Sequence, residues 1–103
     1  MPVPQFTITE KQEKDCLRLT LTGELDLGTT AVLEDRLARL RAKKQAVSLD
    51  LSSLEFIDST GLHLLIRAVG DARIDGWSLQ IQRDVSPPVL RLFELVHFDP
   101  FTD

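Results

Sequence analysis

Apolar and polar residues alternate in two stretches near the start of the chain. Phe6 and Ile8 sit between polar neighbours in Gln5 to Glu10, and Leu17, Leu19 and Leu21 alternate with Arg18 and Thr20, with the charged segment Lys11 to Asp15 between them. A period of two puts one face of each stretch in a core, so the pair predicts an antiparallel hairpin. The period then lengthens. Leu33, Leu37 and Leu40 recur at helical spacing, and Asp26, Thr29 or Thr30 fits the cap position ahead of them. Val47, Leu49 and Leu51 return to alternation and predict a strand. After a turn at Asp58 to Gly61, residues Leu62, Leu65, Ile66, Val69 and Ala72 follow the i, i+3, i+4, i+7 spacing of an amphipathic helix, with Arg67 and Asp71 off the stripe. Asp75-Gly76 marks a turn, and Trp77 to Gln82 alternates as a further strand. Ser86-Pro87-Pro88 opens a last helix, with serine as cap and proline in the first turn, and Val89, Leu92, Phe93 and Val96 as its buried stripe.

The order is two strands, then helix, strand, helix, strand, helix. It predicts an α/β domain with a small mixed β-sheet of about four strands and its helices packed mainly on one face. Strand-helix-strand units favour parallel pairing of the later strands. In open sheets of this kind, sites form beyond the carboxyl ends of the strands. Gly23 to Asp26 and Asp58 to Gly61 both follow strand ends, so two acidic turns are expected to share one rim. With 103 residues the chain suits a single domain spanning 1–103, with 99–103 as a loosely ordered tail. No internal repeat, low-complexity tract or Gly/Pro-rich linker interrupts it.

Composition is that of an ordinary soluble globular protein, with 43% hydrophobic and 27% charged residues. The net charge of −4 opposes docking on phosphate backbones or anionic lipid, which argues against nucleic acid and membrane partners. The one basic run, Arg36 to Lys44, lies near the end of a predicted helix, where cations offset the helix dipole. A single Cys16 has no intrachain partner, which fits a reducing compartment. There is no signal-peptide pattern, and no apolar segment approaches the ~20 residues of a membrane span. A cytoplasmic location is expected.

The candidate chemistry lies in the turn before the second helix. Asp58 and Ser59 both carry a short oxygen-bearing side chain able to accept hydrogen bonds from the first-turn N–H groups, and either fits the N-cap. A helix N-terminus carries roughly +0.5 of a charge, so an anion or a phosphorylated hydroxyl there is stabilised. The plainer reading of Ser59 is a cap alone. An enzyme reading would make Ser59 a nucleophile and His63, one helical turn on, its base. It lacks a third group to orient the base, and Ile57 and Gly61 flank Ser59 where a nucleophile elbow needs its glycines. No catalytic residue is assigned. One cysteine and two distant histidines, His63 and His97, supply no metal-ligand spacing, and there is no Gly-rich phosphate loop, so neither metal nor cofactor is expected.

Four segments together resemble a known family: Leu21-Thr22-Gly23-Glu24-Leu25-Asp26, the strand Val47 to Leu51, Asp58-Ser59-Thr60-Gly61-Leu62, and Ser86-Pro87-Pro88-Val89 with Arg91-Leu92-Phe93-Glu94. In order and spacing they resemble the STAS domain in its bacterial anti-sigma factor antagonist form, over nearly the whole chain. The resemblance implies that Ser59 matches the serine phosphorylated by a partner that is both anti-sigma factor and serine kinase. Unphosphorylated, such a protein binds the partner and frees the sigma factor; phosphorylated, it lets go, and a phosphoserine phosphatase resets it. By the same match Asp26 and Asp58 flank the serine, and Thr60, Gly61, Leu62, His63 and Arg67 belong to the docking or switch surface. Thr60 stands where many members carry a second serine. His63 departs further, since a small residue is common after Gly-Leu, and its imidazole bears on partner choice. STAS domains also serve as protein- or ligand-binding subunits of sensor or transport assemblies, which is the alternative implied function.

Overall fold

The computed structural model describes residues 5–101. The chain begins with an antiparallel hairpin, β1 (Phe6–Gln12) and β2 (Leu17–Leu25), and continues through α1 (Thr30–Ala42), β3 (Val47–Asp50), β4 (Leu54–Ile57), α2 (Ser59–Asp75), β5 (Leu79–Ile81) and α3 (Pro87–Leu95). The sheet runs β1-β2-β3-β5, with β4 also paired to β2. Apart from the opening hairpin, every pairing is parallel.

Register explains why one face is apolar. Leu17, Val47 and Leu79 align across β2, β3 and β5, as do Leu19, Leu49 and Ile81, and all six are buried. One residue over, Arg18, Ser48 and Gln80 align and form a polar face. The helices supply the matching half of the core: Leu33, Leu37 and Leu40 from α1, Leu62, Leu65 and Val69 from α2, and Val89 and Phe93 from α3 join the same cluster. Removing such side chains from water contributes roughly 1.5–3 kcal/mol each, the largest favourable term available to a chain of this size.

The mixed α/β class is as expected, and the sheet has five strands rather than about four. The addition is β4. β3 and β4 form two halves of an interrupted strand alongside the long β2, β3 pairing with residues from Leu17 to Thr20 and β4 with Gly23 to Leu25. The break is a turn in which the Asp50 carboxylate accepts the amide and hydroxyl of Ser52 and Leu51 O accepts the Leu54 amide. Only Leu54 and Ile57 of β4 are buried. Four residues with their middle pair exposed carry no period of two, so only pairing with β2 makes them a strand.

Two helical stripes also differ from expectation. Ile66 is 36% exposed, and Leu64 is buried in its place. Leu64 lines a small cleft with Leu37 and Ala38 of α1, so α2 is covered by a neighbouring helix as well as by the sheet, which turns its buried arc toward Leu64. In α3, Val89 and Phe93 are buried, Leu92 is half-buried, and Val96 lies exposed at the C-cap. Ser86 occupies the N-cap of α3, yet its hydroxyl makes no capping bond; it donates to the carbonyl of Leu54 and so ties α3 to β4. Of the tail at 99–103, Phe101 has the Arg83 guanidinium 5.3 Å from its ring centre, and Thr102 and Asp103 lie outside the described residues. The three arginines of the basic run are paired, Arg36 with Glu10, Arg39 with Asp35 and Arg41 with Asp75. No helix among the described residues is long and apolar enough to cross a membrane.

Candidate functional site

β2 and β4 end side by side, Leu25 opposite Ile57, so the segments that follow leave the sheet at the same rim. The first is the turn 26–29. The Asp26 carboxylate accepts the Gly28 amide at 3.0 Å and lies 3.2 Å from the Thr29 hydroxyl, which donates to the Glu24 carbonyl at 2.8 Å. The Asp26 amide in turn donates to that hydroxyl at 2.9 Å. Thr29 holds the N-cap position of α1 without a capping bond from its side chain. Asp26 is therefore neither the N-cap nor a free carboxylate; it organises the turn that leads into the helix.

The second segment is Asp58 and the start of α2. Here the two cap candidates separate. Asp58 is the N-cap, with extended backbone (φ −101°, ψ −176°) and a side chain that accepts the Gly61 amide at 2.9 Å. Ser59 is the first helical residue. The other carboxylate oxygen of Asp58 accepts the amide of Leu27 at 3.1 Å, and the Asp58 amide donates to the Leu25 carbonyl at 3.2 Å. One aspartate thus satisfies an orphan donor of α2 and fastens the turn after β2 to it, which brings the two acidic turns together.

Gly61 follows from how closely these elements approach. A β-carbon there would lie 2.6 Å from the Leu25 carbonyl oxygen and 2.9 Å from its Cγ. Those separations exclude any side chain. Gly61 and Leu62 are both buried, Leu62 with only 5% of its surface accessible. Their contribution to any docking surface is therefore through packing beneath it. The accessible part of the turn is Ser59, then His63 and Arg67 at successive i, i+4 steps, with Thr60 half-buried beside them. Arg67 reaches Glu34 of α1 at 3.5 Å, and both partners are well exposed.

Chemically, Ser59 offers an exposed hydroxyl at a helix N-terminus, where the amides of the first turn lack intrahelical partners. No hydrogen bond joins it to His63 among the described residues. The open groove of about 670 Å³ around Arg41, Asp75 and Trp77 lies at the far end of α2, away from this rim. Reasoning from sequence missed two apolar residues at the rim, Leu27 (77% exposed) and Phe56 (47% exposed). Leu27 falls outside any periodic stripe, between Asp26 and Gly28, and that isolation is the only signal the sequence carries for it.

Comparison with known proteins agrees with this architecture. The anti-sigma-B factor antagonist of Bacillus subtilis is 25% identical over 98 residues, covering 95% of this chain and 89% of that protein. The crystal structure of an anti-sigma factor antagonist from Mycobacterium paratuberculosis superposes with a TM-score of 0.79 at 24% identity, covering 96% of this chain and 85% of the other. The phosphorylated form of the Bacillus cell fate determinant SpoIIAA matches in fold with a TM-score of 0.70 at 15% identity, over 92% of this chain and 87% of its own. A family model described as "Mlab, STAS domain" matches residues 8–102. The parallel strands, the capped helix at the rim and the match over most of its length agree: the chain belongs to the STAS domain family.

Proposed function

We propose that this protein is a cytoplasmic anti-sigma factor antagonist switched at Ser59. In its unphosphorylated form it binds an anti-sigma factor that is also a serine kinase, and the sigma factor is freed. The kinase then transfers phosphate from ATP: the Ser59 hydroxyl oxygen attacks the γ-phosphorus, the bond to the bridging oxygen of ADP breaks, and the hydroxyl proton passes to a base of the kinase. The phosphorylated domain lets go, and a phosphoserine phosphatase restores it. The observation that carries this reading is the placement of Ser59, exposed at the first position of α2 on the rim where the Asp26 and Asp58 turns meet. The names of the relatives give it its partner class.

The switch is electrostatic and steric. A partner covering the 58–62 turn would have to desolvate a phosphate of about −1.5 to −2 charge, and burying an unpaired charge costs several kcal/mol. At ~1.4 kcal/mol per tenfold, phosphorylation should weaken binding at least a hundredfold. Ser59→Asp, with one charge and a shorter reach, should weaken it only in part, and Ser59→Ala should bind and resist release. Affinity capture on Ser59→Ala and Ser59→Asp baits recovers the partner, and titration calorimetry with phosphorylated and free domain then decides. Equal affinity of the two forms, or undiminished phosphate incorporation into Ser59→Ala, would overturn the reading.

A further inference from the structure

Resting on that reading, we propose that Leu27 is the apolar anchor by which this domain docks its anti-sigma factor, and that Asp58 is the positioning residue that presents it. A single exposed leucine carries little meaning by itself. Leu27 differs from the other exposed apolar residues in how its backbone is held: its amide is bound by the Asp58 carboxylate 31 positions along the chain, and the adjoining Gly28 amide by Asp26. Its side chain, held this way, remains 77% accessible. The turn is therefore fixed in a shape that leaves most of its own leucine in solvent. That arrangement suits an anchor, because a backbone already held in place loses less freedom on binding.

The surroundings say what kind of surface fits it. The Asp26 and Asp58 carboxylates flank the Leu27 turn, one on the Gly28 amide and the other on the Leu27 amide. The complementary patch on the anti-sigma factor is then an apolar pocket, large enough for a leucine side chain and rimmed by lysine or arginine. The same Asp58 caps the helix that Ser59 begins, so one residue links the proposed anchor to the proposed modification site.

The test is a double-mutant cycle between Leu27→Ala and Asp58→Ala, with binding to the purified anti-sigma factor recovered on the Ser59→Ala bait measured by calorimetry. Leu27→Ala should weaken binding at least tenfold, the loss expected for an anchor leucine leaving its pocket, with the melting temperature nearly unchanged because little buried surface is removed. Leu27→Met, similar in reach, should bind within about threefold of the unmodified domain. Asp58→Ala should weaken binding similarly, and the double variant should bind no more than about threefold worse than the weaker single, because Asp58 acts through Leu27. Amide hydrogen exchange at Leu27 should accelerate at least tenfold in Asp58→Ala while the central Leu19 and Leu49 amides are unaffected, a readout that separates loss of presentation from unfolding. If Leu27→Ala binds as tightly as the unmodified domain, or if the two substitutions are additive, the anchor is wrong and the antagonist reading stands. Should the bait retain no anti-sigma factor at all, both fall.

Discussion

At the scale of single residues, the rim is set by contacts too specific for substitution. Asp58 uses both carboxylate oxygens, one on Gly61 and one on Leu27, so an asparagine in its place retains only one acceptor of the two. Gly61 is needed for space rather than for backbone freedom. A methyl group there would sit inside the van der Waals envelope of Leu25 backbone and side chain, and the end of β2 cannot retreat without giving up its pairing with β4. Gly61→Ala is therefore expected to destabilise the domain by at least ~2 kcal/mol, the upper part of the overpacking range. Urea unfolding measures it, and a loss below ~0.5 kcal/mol would mean that α2 does not press on the end of β2 at Gly61. The conformational case for glycine applies at Gly23 instead. Its φ of +98° accompanies the register shift in β2, where the Glu24 amide turns to the Gln5 carbonyl at 2.7 Å.

At the scale of elements, two connections end in a lock made by a residue with another apparent purpose. Ser86 reads as a cap and acts as a tether: its hydroxyl donates to Leu54 O across 32 positions in the chain, both groups being buried. Trp77 follows the αL residue Gly76 at the end of α2, and its indole N–H donates to the Gln45 carbonyl at 2.6 Å, joining the approach to β5 with the approach to β3. Ser86→Ala leaves a buried carbonyl without its donor, so a loss of about 1–3 kcal/mol is expected. A cap is expected to cost a similar amount, so stability alone does not separate the two roles. Amide exchange does: tether loss should speed exchange in β4 as well as in the first turn of α3, whereas acceleration confined to α3 would return Ser86 to the role of a cap.

At the scale of the whole molecule, the proposed switch site lies at the edge of the core rather than within it. The six residues aligned across β2, β3 and β5 belong to the strands, whereas the side chain of Ser59 is exposed and precedes the first buried residues of α2, Gly61 and Leu62. A phosphate on Ser59 gains from the α2 dipole and loses by repulsion from Asp58 and Asp26, each contribution on the order of 1 kcal/mol. The two nearly cancel. Thermal unfolding of the phosphorylated and free domain is therefore expected to differ by under ~1 kcal/mol, and a difference above ~3 kcal/mol would show that modification acts by unfolding instead of at the docking surface.

Much of this was legible from local pattern, because the relevant forces are local. A period of two with buried leucines specifies β2 and β3, and a period of three to four specifies α1 and α2, since each buried stripe has to face a core whatever the partner. The acidic turn and Ser59 could be placed at the start of a helix from cap chemistry alone. Other features depended on contacts between residues far apart in the chain, which no window of sequence contains. β4 exists because β2 is long enough to pair twice. Leu64 is buried and Ile66 exposed because α1 lies against one side of α2. Asp58 became the cap in preference to Ser59, and Leu27 became part of the rim, only when the ends of β2 and β4 came together and one carboxylate met an amide from each segment.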